Sequence, residues 1–464
     1  MAAADPGAAE DELAFMSVSR AARAIRRRTV SSRELVEACL ARIEAVNPWL
    51  NAVVVRDADA ARRAAERADV ALARGAPSGP LHGVPMTIKD SLDTAGMVTT
   101  YGLAERADTV PARDATAVAR ARAAGAILVG KTNTPPLTFS FETSNPVYGV
   151  TNNPYAIERS PGGSSGGSAA IVAAGGVPFD IGSDTGGSVR QPCHFCGVAG
   201  IRPTSGRVPR TGNAVPPGGL LDRLTQIGPI ARSVEDLGLI LSVLAGPDGR
   251  DPAIAPARLR APASVEPRRL RAAFYTDNGV RAPAPAIADA VGAAAEALAA
   301  EGVAVEERRP PGVEEAYRLF IDLFNWDGGA WRRLLRARAL SREVASSEPS
   351  ARVPAADVVS LIDRWDRLER GMLEFVQAYD VLLAPVNASP ALPHGTANER
   401  LEDFSYTMTY SLTGWPAAVV RAAATAEGLP VGVQVIARPW REDVALAAAG
   451  VIERRLGGWR APEL

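Results

Sequence analysis

Lysine is almost absent from this chain of 464 residues. Only Lys89 and Lys131 occur, against 49 arginines. Where a surface needs nothing but positive charge, this sequence uses Arg. Each surviving Lys is therefore a candidate for the one thing guanidinium cannot do, which is to lose a proton near neutral pH. Chance survival under a codon bias is the plain alternative. Cysteine is equally scarce: Cys39, Cys193 and Cys196 make no disulfide framework, and a reducing cytoplasmic setting is the default. "CHFC" (193–196) resembles a metal clip, but zinc takes three or four ligands and Cys39 belongs to an amphipathic helix. Buried free thiols are expected instead, with no metal and no cofactor. The three histidines, His82, His194 and His394, are scattered. A formal net charge of −1 gives no pull toward nucleic acid or an anionic membrane surface. No run of 18 apolar residues exists, so no membrane span is expected. The first residues, "MAAADPGAAEDELAF", are acidic and do not read as a secretion signal.

What is present is an alternation of helix and strand signals. "SSRELVEACLARIEAV" opens with Ser31 three residues before Glu34, a capping-box signature. Residues 57–74 read as a second helix, and "GVPMTIKD" (83–90) as a strand with Val84, Met86 and Ile88 on one face and Thr87 and Lys89 on the other. Helices are expected at 115–124, 165–175, 233–245, 284–301, 313–340, 355–379 and 442–456. Strands are expected at 126–130, 177–182, 197–201, 271–277, 303–307, 381–385, 416–423 and 431–437. This order argues for an α/β sheet with helices on both faces. The Pro/Ala/Arg-rich segment 247–268 reads as a long surface crossing.

Two Gly/Ser clusters need a joint explanation, "SPGGSSGGSAA" (160–170) and "IGSDTGGSVR" (181–190). A phosphate loop requires a Lys after its glycines, and none follows. A flexible linker is excluded because apolar helix and strand signals resume at once. "GSSGG" (163–167) matches the G-x-S-x-G elbow of α/β-hydrolases with Ser165 central, and His394 lies downstream in the required order. An elbow sits between a strand and a helix, however, and the preceding "NNPYAIERSPGG" is polar and broken by proline. The remaining reading uses every feature. A serine hydroxyl needs a base to become a nucleophile. A lysine supplies one if burial lowers its proton affinity. Backbone N–H groups in a glycine turn can hold an oxyanion. Lys89, Ser164 and Ser188 form such a set, with the amides of Thr185, Gly186, Gly187 and Ser188 as donors.

These residues resemble the amidase signature family, whose hydrolases use a Ser–cis-Ser–Lys triad. "GVPMTIKD", "GGSSGGSAA" and "GSDTGGSVR" match its core in order, with 24 positions from Ser164 to Ser188. The likeness runs on through "FCGVAGIRPTSGRVP", "GPIARSVEDL", "TGWPAAVV" and "GLPVGVQVIA". The resemblance implies an α/β amidase-signature fold, a large mixed twisted sheet covered by helices on both faces. It implies one domain over 1–464, comprising an N-terminal helical part (1–75), a signature core (80–246) and a C-terminal part (269–464) whose region 310–380 varies with substrate. It further implies Ser188 as nucleophile, Ser164 as bridging serine on a cis peptide after Gly163, and Lys89 as base.

The implied activity is hydrolysis of small amides with an apolar or aryl side, and of aryl carbamates (urethanes), by a cytoplasmic monomer or homodimer that needs neither nucleic acid nor membrane. The rival within the family is the glutaminase component of a tRNA-dependent amidotransferase. "DSLDTAGMVTTYG" and the aromatic middle region favour the free-standing kind. A catalytically dead binding protein is disfavoured because all three triad positions are filled. Of the other features, Lys131 in "GKTNTP" reads as a loop anchor, and Asp184 with Arg190 as a structural charge pair. Arg210 is read as exposed, with substrate contact the sharper alternative. Tyr317, Phe320, Phe324, Trp326 and Trp331 read as core helix, with Phe324 and Trp326 as candidates for the substrate wall.

Overall fold

A computed structural model describes residues 12–219, 221–325, 330–340 and 353–464. Along the chain the strands are β1 (Val53–Arg56), β2 (Pro85–Lys89), β3 (Ile127–Thr132), β4 (Ser144–Asn145), β5 (Gly149–Val150), β6 (Phe179–Asp184), β7 (Ala199–Arg202), β8 (Gln226–Ala231), β9 (Arg271–Phe274), β10 (Ala304–Glu307), β11 (Val381–Pro385), β12 (Ala417–Ala424) and β13 (Pro430–Ala437). Among the described residues, β4 and β5 make a small hairpin and the other eleven form one sheet, ordered β1-β3-β2-β6-β8-β7-β12-β13-β11-β9-β10. The sheet is mixed. β2 runs parallel to both neighbours, β3 and β6, and β9 runs parallel to β10 and β11, while the remaining pairs are antiparallel.

Alternation along the strands splits the interior into layers. Met86 and Ile88 of β2, Phe179 and Ile181 of β6, and Val433 and Val435 of β13 enter one core, with helices Val234–Leu244, Pro285–Ala299 and Glu442–Leu456 packed on it. The opposite face carries Ile127 and Val129 with helix Gly166–Ala173, and then Leu382, Ala384 and Ile436 under helices Val313–Asn325, Ala355–Phe375 and Ser405–Thr413. Helices on both faces thus cover the expected large mixed sheet.

Local signals explain most elements. Helix Ser32–Leu50 starts from the expected capping box: Ser31 Oγ accepts from Glu34 N–H at 3.0 Å, and Glu34 Oε2 accepts from Ser31 N–H at 2.7 Å. Strand β8, in contrast, carries Gly228 and Pro229 and has no sequence signal for a strand. It lies between β6 and β7, but β7 pairs with it only at Ile230 and Ala231. The absent N–H of Pro229 therefore lies beyond that ladder. The region 313–340 is two helices, Val313–Asn325 and Ala330–Ala339. Segment 247–268 is irregular, with one short 3₁₀ turn at Pro262–Ser264 and another starting at Pro267, as expected of a crossing. Helices Val18–Arg26, Arg190–Phe195 and Ser405–Thr413 and strands β1, β4 and β5 were, like β8, not expected.

Candidate active site

Three elements converge at the C-terminal edges of β2 and β6. β2 ends on Lys89, which is fully buried. β6 ends on Asp184 and runs straight into the 185–188 turn. Between them in sequence, the loop 160–165 leads into helix Gly166–Ala173, and its Gly163–Ser164 peptide is cis. Glycine is required at 163, because a Cβ there would stand 2.6 Å from the backbone of Phe141 and Glu142. The loop therefore packs backbone against backbone beneath the 139–142 segment.

Lys89 Nζ donates to Ser164 Oγ at 2.7 Å, to Ser183 Oγ at 3.0 Å and to the Ser183 carbonyl at 3.4 Å. Hydroxyls and a carbonyl thus surround the amine in the place of a paired carboxylate. Burial pulls its proton affinity down to about 7, although Asp184 and Asp180 oppose the shift. Ser164 is fully buried, whereas Ser188 is 6% exposed and lines a cavity of about 500 Å³. The cavity walls are Phe139 and Phe141 from one loop, Phe320, Ile321, Phe324 and Asn325 from helix Val313–Asn325, and Asn398, Leu401 and Met408 from the C-terminal part. Phe141 stacks on Phe404 with centroids 4.2 Å apart, and Phe320 lies 4.8 Å from Phe324. Thr138, Ser140, Thr185 and Gly186 complete the lining, so no charged side chain is among the described residues that line it.

The turn bearing Ser188 is held from below. Asp184 Oδ1 accepts from the Gly187 N–H at 2.9 Å, and its Oδ2 accepts from the Val189 N–H at 3.2 Å. Arg190 clasps the same carboxylate through Nε and Nη2, each at 3.0 Å. Burial alone would raise the Asp184 carboxyl, but Arg190 and Arg202 hold it below the usual range. The pair is fully buried and structural in its contacts, and Arg190 also donates to Thr407 O at 2.8 Å and Ser411 Oγ at 2.8 Å. Thr407 Oγ1 in turn donates to the Gly186 carbonyl at 2.7 Å. Of the four amides expected to serve an oxyanion, the Gly187 N–H is already engaged, donating to Asp184 Oδ1.

Other expectations sort as follows. Lys131 is fully buried and anchored, pairing with Asp90 Oδ1 at 2.9 Å and donating to the Leu92 carbonyl at 3.0 Å and to Thr99 Oγ1. Arg210 is not an exposed arginine. It is 2% exposed, grips Asp251 through Nε and Nη2 at 3.0 Å each, and lies outside the cavity that Ser188 lines. The carboxylates of Asp251 and Asp222 are what draw it in. Phe324 does line the cavity, whereas Trp326 lies outside the described residues. Ser165 Oγ donates to the Ser183 carbonyl at 3.3 Å, and the residues before it form turns and isolated bridges in place of the strand an elbow requires. His394 faces the Ile157 carbonyl at 3.2 Å. Cys193 and Cys196 are buried thiols pushed up by that burial, and no group of three or more His, Cys, Asp or Glu among the described residues could hold a metal ion. Phe139 and Phe141 were not anticipated. They sit in "PLTFSFET", between two signature segments, and their alternation is the only sequence cue they offer.

Comparison with known proteins adds four findings. Residues 34–446 match the family model described as Amidase. The chain is 36% identical over 453 residues to an indoleacetamide hydrolase of Bradyrhizobium diazoefficiens, covering 94% of this chain and 86% of that one. It is 34% identical over 486 residues to the A-type component of the glutamyl-tRNA(Gln) amidotransferase of a Roseiflexus species, covering 97% and 98% respectively. Among solved structures, 6-aminohexanoate cyclic dimer hydrolase matches with a TM-score of 0.86 at 28% identity, over 97% of this chain and 99% of that chain.

Proposed function

The chain belongs to the amidase family of amide-hydrolysing enzymes, and from that premise we propose a self-sufficient serine amidohydrolase that cleaves small neutral amides with an apolar or aryl side. The observation that carries this reading is the fully buried Lys89 amine, 2.7 Å from Ser164 Oγ and with its proton affinity brought to about 7. In this reading neutral Lys89 takes the proton of Ser164 as Ser164 takes that of Ser188. Ser188 Oγ bonds to the substrate carbonyl carbon, and the oxyanion is held by the amides of Thr185, Gly186 and Ser188. The relay then runs backwards to protonate the leaving nitrogen as the C–N bond breaks. Water enters, loses its proton along the same path and releases the acyl group from Ser188.

The cavity supports an apolar or aryl substrate, since four phenylalanines with Ile321, Leu401 and Met408 dominate its wall. Aryl carbamates present the same carbonyl flanked by an aryl-bearing nitrogen or oxygen and are the second class proposed. The similarity to the amidotransferase component favours a glutaminase reading. Against it stands the chemistry of the cavity: free glutamine carries an ammonium and a carboxylate, and neither finds an opposite charge among the described lining residues. The deciding experiment assays the purified chain alone on arylacetamides, anilides, aryl carbamates and glutamine. Turnover of aryl amides with no other protein present supports the proposal. Activity confined to glutamine, and dependent on added amidotransferase components, overturns it.

A further inference from the structure

Asp180 is a buried carboxyl that forms no ion pair among the described residues. It stands on β6 opposite Thr87 of β2, and strand alternation puts Asp180 and Asp184 on the same face as Thr87 and Lys89. Its Oδ2 accepts from Thr87 Oγ1 at 2.6 Å and from Thr132 Oγ1 at 3.0 Å. Thr132 Oγ1 also lies 2.9 Å from Ser168 Oγ, so the second hydroxyl is itself fixed by helix Gly166–Ala173. The other oxygen, Oδ1, has no hydrogen-bond partner among the described residues, and the residue is fully buried. A buried carboxylate without a paired cation is costly, so something else must account for its presence.

The charges around it narrow the choice. β6 offers Lys89 two carboxylates, Asp180 and Asp184, but Asp184 is already neutralised by Arg190 and faced by Arg202. From β3, Lys131 is occupied by Asp90. Helix Ser32–Leu50, packed on β2, buries no charged residue there, and its Cys39 thiol is pushed up to about 12 by burial. Helix Gly166–Ala173 brings only Ser168. Asp180 is left as the carboxyl on the Lys89 face of β2 and β6 with no cation paired to it among the described residues.

We propose that Asp180 is a positioning residue for the proton relay, its buried carboxyl governing when the Lys89 amine holds its proton and so the pH at which the hydrolase switches on. This rests on the reading of Lys89 as the base. Burial raises the Asp180 carboxyl, with Thr87, Ser168, Thr132 and Lys89 opposing it, while burial lowers Lys89, with Asp184 and Asp180 opposing. Burial thus pushes each group toward its neutral form while the charge of the other opposes that push, as expected of two sites that titrate together.

The test needs no identified substrate. The second-order rate of inactivation by a fluorophosphonate is measured against pH for wild type, Asp180→Asn, Thr87→Val and Lys89→Met. Asp180→Asn keeps an acceptor for Thr87 and Thr132 but removes the negative charge. Its acidic limb is expected to move to lower pH by about one unit, with the plateau rate within about threefold of wild type. Thr87→Val withdraws the shorter hydrogen bond from the carboxylate, makes it easier to protonate, and should move the limb the same way. That variant decides the question if Asp180→Asn does not fold. A limb that stays in place or moves upward in the folded variants overturns the proposal, and so does a fall in plateau with no shift, the mark of a merely structural role. Lys89→Met separates the two levels. If it reacts as fast as wild type, the lysine-base reading fails. If it is inert while the Asp180→Asn limb is unmoved, only the role of Asp180 falls.

Discussion

Lys89 and Lys131 are both fully buried, and burial lowers the proton affinity of each, yet their partners differ in kind. Lys131 pairs with Asp90 at 2.9 Å, whereas Lys89 meets only hydroxyls and a carbonyl and is lowered to about 7. Lys89→Arg should therefore reduce turnover by about 10²–10⁴-fold, because guanidinium keeps its proton and cannot act as base. Lys131→Arg should lower the melting temperature by overpacking a closed site while kcat per folded molecule changes little. For the wild type, turnover should rise with pH through about 7, the value to which Lys89 is lowered, since the proposed base is the neutral amine. A pH profile of all three enzymes checks the set. At Ser188 the expectation is simpler. Ser188→Ala should lose roughly 10⁴-fold or more in turnover, and a fluorophosphonate should add its mass to the peptide containing Ser188. Label on Ser165 would revive the elbow reading.

Two helices from the C-terminal half border a site whose proposed proton-relay residues all come from the N-terminal half. Helix Ser405–Thr413 supplies Thr407, whose hydroxyl donates to the Gly186 carbonyl at 2.7 Å and accepts from Gln191 Nε2 at 3.0 Å. Thr407→Val would remove the donor to the Gly186 carbonyl and leave Gln191 Nε2 with only the Val386 carbonyl, at a cost of about 1–3 kcal/mol, and loosen the turn that bears Ser188. The expected outcome is a drop in kcat of about tenfold or more with a smaller change in KM, read from steady-state kinetics. Helix Val313–Asn325 supplies the aromatic wall. Phe324→Ala should raise KM for an anilide about tenfold or more while leaving acetamide almost unaffected, because only the aryl group loses its contact. An equal loss on both substrates would mean that Phe324 shapes the catalytic turn and not the pocket.

Across the whole molecule, buried arginines tie distant segments together. Arg207 pairs with Glu442 through Nε at 3.0 Å and Nη2 at 2.7 Å, joining the loop after β7 to the start of helix Glu442–Leu456. Arg232 Nη1 caps the carbonyls of Val172 and Val177, at 3.0 and 2.7 Å, and its Nη2 caps those of Ala14 and Met16, at 3.0 and 2.6 Å. A chain that uses arginine almost exclusively as its cation has the planar, multidentate donor such crossings require. Glu442→Ala would strand a buried guanidinium and is expected to destabilise the fold by about 3–5 kcal/mol. Neither partner lines the cavity at Ser188, so activity per folded molecule at low temperature should persist. Thermal melts paired with active-site titration separate the two quantities.

The sequence by itself was enough for the elements with strong local signals: the capped helix after Ser31, the alternating strand ending on Lys89, and the buried apolar runs of β3, β11 and β13. It also pointed to Lys89, Ser164 and Ser188 as the proposed relay, because two glycine-bordered serine loops and one of only two lysines stand out against such a background. Other features were decided only by tertiary structure. Strand β8 exists because β6 pairs along its whole length, which overrides the breaker signal of Gly228 and Pro229. Arg210 reads as a surface residue until Asp251, 41 positions away, is folded against it. The Gly187 amide turned from candidate oxyanion donor to ligand of Asp184. Beyond the alternation of Phe139 and Phe141, no local pattern marks these two residues, Met408 or Asp180. Their roles come from contacts across long sequence separations, and these contacts exist only once the eleven-stranded sheet has set its order.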